Sequence, residues 1–181
     1  MNRPPGLIGL IGAECTGKST LARDLRELLP ALACTEALRT FVDTHGRTPA
    51  RDEQRMIMHA QKEAVEQVRC QTPQGIVIAD PLPALTAIYS IHYFDDQSLL
   101  AEGLADAAEY DLIVWCRPDF PWQADSLHRD GEPVRIAVDE LIRTHILPAA
   151  TSPVVVARGS RHERAEAVRQ AWQHLAEAGP T

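Results

Sequence analysis

The sequence predicts an α/β protein, a three-layer sandwich with a parallel sheet of about five strands and helices on both faces. Three observations predict it. Short apolar runs alternate with amphipathic stretches along the whole chain, the pattern of strands joined by crossover helices. The runs are apolar on successive residues, as strands buried on both faces are. The first run ends in a glycine-rich turn that opens a helix, GAECTGKS from Gly12 to Ser19.

The elements follow in order. Leu7 to Ile11 is a buried strand after Pro4, Pro5 and Gly6; MNRPPGLIGLIG reads as that strand and not as a signal peptide. From Lys18, the residues Leu21, Leu25, Leu28 and Leu29 fall at helical spacing until Pro30. Ala31 to Thr35 is a second short strand, and Glu36 to His45 a short helix ending near Gly46. Ala50 to Gln71 is a long amphipathic helix with Ile57, Ala60, Ala64 and Val68 on one face. GIVIADP, Gly75 to Pro81, is the clearest strand and carries Asp80 at its end. Pro83 to Phe94 and Gln97 to Glu109 read as helices, and Leu112 to Cys116 as a buried strand. Phe120 to Pro133 is polar, broken by Pro and Gly, and reads as a mobile loop. A helix from Val134 to Leu147, a last buried strand from Pro153 to Ala157 and a helix from Arg161 to Ala178 complete the chain. Its 181 residues fit one domain, residues 1–181, with a lid region at about 120–135.

Composition narrows the function classes. The net charge of −7 argues against nucleic acid as the main partner. No apolar run approaches the roughly 20 residues that span a bilayer. Cys15, Cys34, Cys70 and Cys116 are scattered without a CxxC pair, which suits reduced thiols in a cytoplasmic protein.

The turn after the first strand fits G-x-x-x-x-G-K-[ST], a phosphate-binding P-loop. By average composition this pattern arises by chance in roughly one chain in 200 of this length. Gly12, Glu14, Cys15, Thr16, Gly17, Lys18, Ser19 and Thr20 form the candidate nucleotide site. Glycines let backbone N–H groups turn inward onto phosphate oxygens, and the helix beginning at Lys18 aims its positive end at the same anion. Lys18 supplies a mobile ammonium for the β- and γ-phosphates of ATP, and the Ser19 hydroxyl a ligand for Mg²⁺. The fold expected is therefore the P-loop NTPase sandwich with kinase-like strand order.

Ligands in such sheets sit outside the carboxyl ends of the strands, where Gly12, Glu36, Asp80 and Cys116–Arg117 fall. Asp80 is the candidate acid that holds Mg²⁺, directly or through water, or orients the nucleophile. Glu36, three residues before Arg39, is the acceptor-side candidate, a carboxylate for a hydroxyl beside a guanidinium for either substrate. The stretch from Trp122 to Arg135 is a candidate arginine-bearing lid with Asp125, and Arg129 or Arg135 as its finger on the transferring phosphoryl group. Trp122 either stacks on a flat ring or anchors the loop. G-protein base motifs such as N-K-x-D are absent, and the size suits a small-molecule kinase.

Four segments carry a family resemblance: GAECTGKSTLARDL; TEALRTF, with its E-x-x-R; IADPLPALTAIYSIHYF, a strand-end Asp before a helix bearing Thr and an aromatic; and YDLIVWCRPDFPWQADSLHRDGEPVR. In this order, over about residues 7–147, the chain resembles the P-loop kinase domain of NadR-type proteins, the ribosylnicotinamide kinase domain, and related stand-alone ATP-binding proteins filed under AAA domains. The resemblance implies ATP- and Mg²⁺-dependent phosphorylation of the ribose 5′-hydroxyl of nicotinamide riboside, a step in NAD biosynthesis. It implies Lys18 and Ser19 at the ATP phosphates, Asp80 near Mg²⁺ and the acceptor, Glu36 and Arg39 at the acceptor, and Asp125, Arg129 and Arg135 in the lid. The chain departs from the family pattern at Ser126, where glycine is usual, and at Leu82, where NadR itself often has a second acid. These departures keep a different reading alongside the kinase: an ATP-binding regulatory module or slow ATPase that switches a partner.

Overall fold

The computed structural model describes residues 6–34, 36–122 and 131–178. Five parallel strands form one sheet: β1 (Gly6–Ile11), β2 (Ala31–Ala33), β3 (Ile76–Ala79), β4 (Leu112–Cys116) and β5 (Val154–Ala157). Their order is β2-β3-β1-β4-β5, with Leu7 of β1 paired to Val77 and Ile8 to Leu112. The most apolar strands occupy the middle, where both faces are covered.

Side chains alternate across the sheet and split the core in two. Ile8, Leu10, Ile78, Val114 and Cys116 pack under helices α1 (Lys18–Leu28) and α7 (Arg161–Ala178), meeting Leu21, Leu25, Val168 and Trp172. Leu7, Ile11, Val77, Ile113 and Trp115 face the other layer. Helices α3 (Gln54–Gln71), α4 (Ala84–Phe94) and α6 (Glu132–Leu141) cover that face with Val65, Leu85, Ile88 and Val138. Helices α2 (Ala37–His45) and α5 (Leu100–Ala107) complete the chain's regular structure among the described residues.

The helix expected over Gln97 to Glu109 is shorter, Leu100–Ala107, and three larger differences from the sequence expectations stand out. The helix expected over 134–147 is α6 followed by a π-helical turn, Ile142–Ile146, and a 3₁₀ turn, Leu147–Ala149. The wider turn lets Ile142 and Ile146 both reach full burial, and Pro148, lacking an N–H, ends regular helix. Strand β5 is an edge strand, not a buried one: Val154 and Val156 are 36% and 39% exposed, because only β4 pairs with it. The stretch before α3 is a separate 3₁₀ turn, Arg51–Glu53, where the Glu53 carboxylate accepts the Ala50 N–H at 2.8 Å.

The topology brings the carboxyl ends of β1, β2, β3 and β4 together on one edge. Asp111 precedes β4 at the opposite edge, where its carboxylate accepts the Leu7 N–H at 2.8 Å. Leu82, one of the two departures from the expected motif pattern, is fully buried and lies 2.6 Å from where a Cβ on Gly9 would sit. An ionised side chain there would enter the core unpaired.

Candidate active site

The phosphate loop joins β1 to α1, and two of its residues have left-handed backbone, Cys15 at φ 51° and Gly17 at φ 78°. Gly17 suits that geometry at little cost, whereas Cys15 is a non-glycine held there by its surroundings. Gly12 is required for a different reason: a Cβ on it would lie 2.7 Å from the Cys116 carbonyl oxygen and the Thr16 hydroxyl. Thr16 is buried and its hydroxyl donates to the Ala13 carbonyl at 2.8 Å, closing the loop on itself. Lys18 Nζ donates to the carbonyls of Gly12 and Ala13, both at 2.8 Å. Its ammonium thus lies over the loop mouth, where a phosphate would replace those carbonyls as its partner. Ser19 and Thr20 are exposed at the start of α1.

A cleft of about 780 Å³ opens from this loop. Glu14 to Thr20 line one wall, and Glu36, Leu38, Arg39, Val42 and Asp43 of the α2 region another. Gln54 and Ile57 of α3 and Thr86, Tyr89, Tyr93 and Phe94 of α4 close the far side. Three apolar aliphatic side chains, Leu38, Val42 and Ile57, and three aromatics accompany three carboxylates and one guanidinium, a mixture of apolar walls and a few polar groups typical of small-molecule sites. Tyr89 and Tyr93 stand one helical turn apart with ring centroids 6.1 Å apart, so both present to the cleft from one face of α4.

Glu36 is the residue before α2 and lines the cleft with Arg39. Their side chains approach to 3.8 Å at 29% and 64% exposure, a loose pair that either substrate can part. Gln61 holds this corner. It is 2% exposed; its Oε1 accepts the first α2 N–H, from Ala37, at 2.7 Å, and its Nε2 donates to Cys34 Sγ at 3.2 Å.

Asp80 directly follows β3 and is 9% exposed. Burial pushes the Cys34 thiol up; the Asp80 backbone N–H pulls it down and the Asp80 carboxylate adds to the rise. Burial likewise pushes Cys116 up to about 12, opposed by Lys18 and Arg164 and reinforced by Asp80 and Asp119. Asp80 is not among the residues that line the cleft; it stands at the carboxyl end of β3, beside the strand that leads into the phosphate loop.

Of the lid residues, Asp125 and Arg129 lie outside the described residues, as does Ser126. Trp122 is half-buried, and among the described residues its indole N–H is buried without a hydrogen-bond partner. Arg135 is 3% exposed, with Nη1 donating to the Phe120 carbonyl and Nη2 to Glu132, both at 3.0 Å. It does not line the cleft; its guanidinium grips the start of the lid region from the α6 side. Arg164 was not singled out by sequence, yet it is 4% exposed and bonds the Thr16 carbonyl of the phosphate loop at 2.8 Å. Gln61, Tyr89 and Tyr93 were also missed as site residues; the i, i+4 tyrosines on a helix just after Asp80 were the one signal that could have flagged them.

Among the described residues no group of three or more His, Cys, Asp or Glu side chains could hold a metal ion, and no helix is long and apolar enough to cross a membrane. No curated protein matches the chain. Among solved structures, the chain superposes on the NadR protein in complex with NR with a TM-score of 0.73 at 22% identity, covering 92% of this chain and 50% of that one. A NadR structure in complex with NAD and AMP-PNP gives 0.73 at 23% identity, covering 92% and 49%. YorR from Bacillus subtilis, in complex with phosphorylated GDP, gives 0.56 at 15% identity over 97% and 99%. The chain spans about half the length of the NadR chains it matches. These likenesses establish the P-loop kinase-type sandwich and bear out, at the level of the fold, the resemblance read from the motifs. The family model described as an AAA domain matches residues 7–164, and the chain belongs to that family.

Proposed function

We propose that this AAA-domain family member is an ATP-dependent small-molecule kinase whose acceptor is a nucleoside-like alcohol, foremost the ribose 5′-hydroxyl of nicotinamide riboside. One observation carries the reading: a single cleft runs from the phosphate loop to a wall holding Glu36, Tyr89 and Tyr93, so a phosphoryl donor and a flat-ringed alcohol fit end to end. The motif resemblance and the structural likeness to NadR in complex with NR support the choice of acceptor. We read the chain as one catalytic domain with a lid at about residues 120–135.

In this reading backbone N–H groups of Glu14 to Ser19 and the Lys18 ammonium hold the donor phosphates. Glu36 lies on the acceptor side of the cleft; it orients the attacking hydroxyl and takes its proton as the bond to phosphorus forms. Asp80, at the carboxyl end of β3, is assigned to the metal. The donor set of an exposed Ser19 hydroxyl and the Asp80 carboxylate consists of hard oxygens and fits Mg²⁺. Bound there with the nucleotide, the ion would neutralise charge on the β- and γ-phosphates. Arg129 is assigned the stabilisation of charge on the transferring phosphoryl group, and Arg135 binds the Phe120 carbonyl where the lid region begins.

A coupled ADP-release assay over a panel of nucleosides and ribosides tests the proposal. The expected result is ADP release stimulated by nicotinamide riboside or a close analogue. Tight ATP binding with slow hydrolysis indifferent to every alcohol would instead favour the regulatory module or slow ATPase.

A further inference from the structure

Arg164 lies in the first turn of α7, just after a capping pair in which the Glu163 carboxylate accepts the Ser160 N–H at 2.7 Å. Its guanidinium is buried. Nη1 donates to the Thr16 carbonyl at 2.8 Å, Nε to the Gly159 carbonyl at 3.0 Å and Nη2 to the Arg117 carbonyl at 3.0 Å. Nη2 also pairs with the Asp119 carboxylate, whose other oxygen accepts the Gly159 N–H at 2.7 Å. The Phe120 ring lies against the guanidinium, 4.8 Å from carbon to centroid, and 3.6 Å from where a Cβ on Gly17 would sit.

Each of these contacts is on a loop at the carboxyl edge of the sheet. A guanidinium is planar with its donors in fixed directions, so it sets the groups it binds relative to one another. The bond to Thr16 has a further consequence. In a trans peptide the carbonyl and the following N–H point in opposite directions. Holding the Thr16 carbonyl toward Arg164 therefore turns the Gly17 N–H away from it, toward the inside of the phosphate loop.

We propose that Arg164 is a positioning residue for phosphate binding, which locks the Thr16–Gly17 peptide to the Arg117–Phe120 segment after β4 so that one buried cation sets both sides of the donor site. The proposal rests on the P-loop binding a nucleotide. Arg135 grips the same segment through the Phe120 carbonyl, so Phe120 is fixed between two guanidinium groups. A lysine at position 164 keeps the charge and loses the fork.

The test is calorimetric titration of Mg²⁺ and ADP into the wild type and into Arg164→Lys, Asp119→Asn and Phe120→Leu, with Arg169→Lys on the same helix as control. Thermal midpoints and hydrogen exchange over residues 14–20 and 117–122 are measured alongside. Expected is an ADP affinity about tenfold weaker or worse for Arg164→Lys at temperatures where it is folded, the scale of losing a charged hydrogen bond. Exchange should accelerate in both segments together, Asp119→Asn and Phe120→Leu should weaken ADP in the same direction by less, and Arg169→Lys should match the wild type. A folded Arg164→Lys with wild-type ADP affinity, or one altered only in its thermal midpoint, overturns the proposal and leaves the kinase reading standing. If Arg164→Lys does not fold, unchanged ADP affinity in both other variants overturns it. A wild type that binds no ADP overturns this proposal and the kinase reading together.

Discussion

The two walls of the cleft are built in different ways. The wall proposed to take the donor is backbone: a loop with left-handed residues at Cys15 and Gly17, shut by Thr16 and backed by Arg164. The wall proposed to take the acceptor is side chain: Glu36 just before α2, Arg39 from α2, Ile57 from α3, Tyr89 and Tyr93 from α4. Phosphates are common to every nucleotide, so a wall that recognises them can be one contiguous, rigid motif. An acceptor is particular, so its wall is assembled from separate helices whose side chains vary independently of the sheet. Changes on the donor wall should abolish turnover with any acceptor, and changes on the acceptor wall should alter acceptor preference while sparing the nucleotide.

Lys18→Ala should break the donor wall most completely, leaving no measurable turnover by the ADP-release assay. Because its described bonds are to two loop carbonyls, the fold should survive, as circular dichroism would show. Arg129→Ala should lower kcat by about 10³-fold with a smaller change in nucleotide KM, the cost of losing an arginine that stabilises transition-state charge. An unchanged kcat would remove that role from it. Glu36→Gln should lower kcat by about 10²-fold or more and flatten the acid limb of the pH–rate profile, as loss of a general base does. If Asp80→Asn does this and Glu36→Gln does not, the two carboxylates exchange roles.

Tyr89→Ala should raise acceptor KM by about tenfold and leave ATP KM unchanged, the scale of a lost aromatic stack. An equal rise in ATP KM would dissolve the distinction between the walls. The smallest effect is expected beneath the donor wall, where Arg161 Nε donates to the Asp24 carboxylate at 2.6 Å and ties α7 to α1. The hydrogen bond from Arg161 holds the Asp24 carboxyl below its usual range. A depressed carboxyl stabilises the fold above its unfolded value and loses that contribution as pH falls through the folded one. Asp24→Asn should therefore lower the thermal midpoint by a few degrees near neutral pH, and the gap should close only below about pH 4.

The contrast between the walls also decides what the sequence disclosed. The donor loop was readable because its chemistry sits in eight successive residues, Gly12 to Ser19, and the sheet because buried parallel strands are apolar throughout. Arg164 was not readable: it acts on backbone carbonyls, which carry no sequence signature, and Thr16 is 148 residues away. Gln61 escaped for the same reason, bonding a backbone N–H from another helix. The edge position of β5 was hidden because Val154 to Ala157 is as apolar as a central strand. Arg135 had the right type and place for a finger, but its burial against Phe120 depends on how α6 packs, which periodicity does not report.

The central claim is tested most directly by incubating the protein with ATP, Mg²⁺ and nicotinamide riboside and analysing the products by mass spectrometry. The account predicts ADP together with a riboside heavier by one phosphoryl group, formed by the wild type and not by Lys18→Ala. Recovery of unmodified riboside while ATP is hydrolysed, with the same outcome across the nucleoside panel, would contradict it.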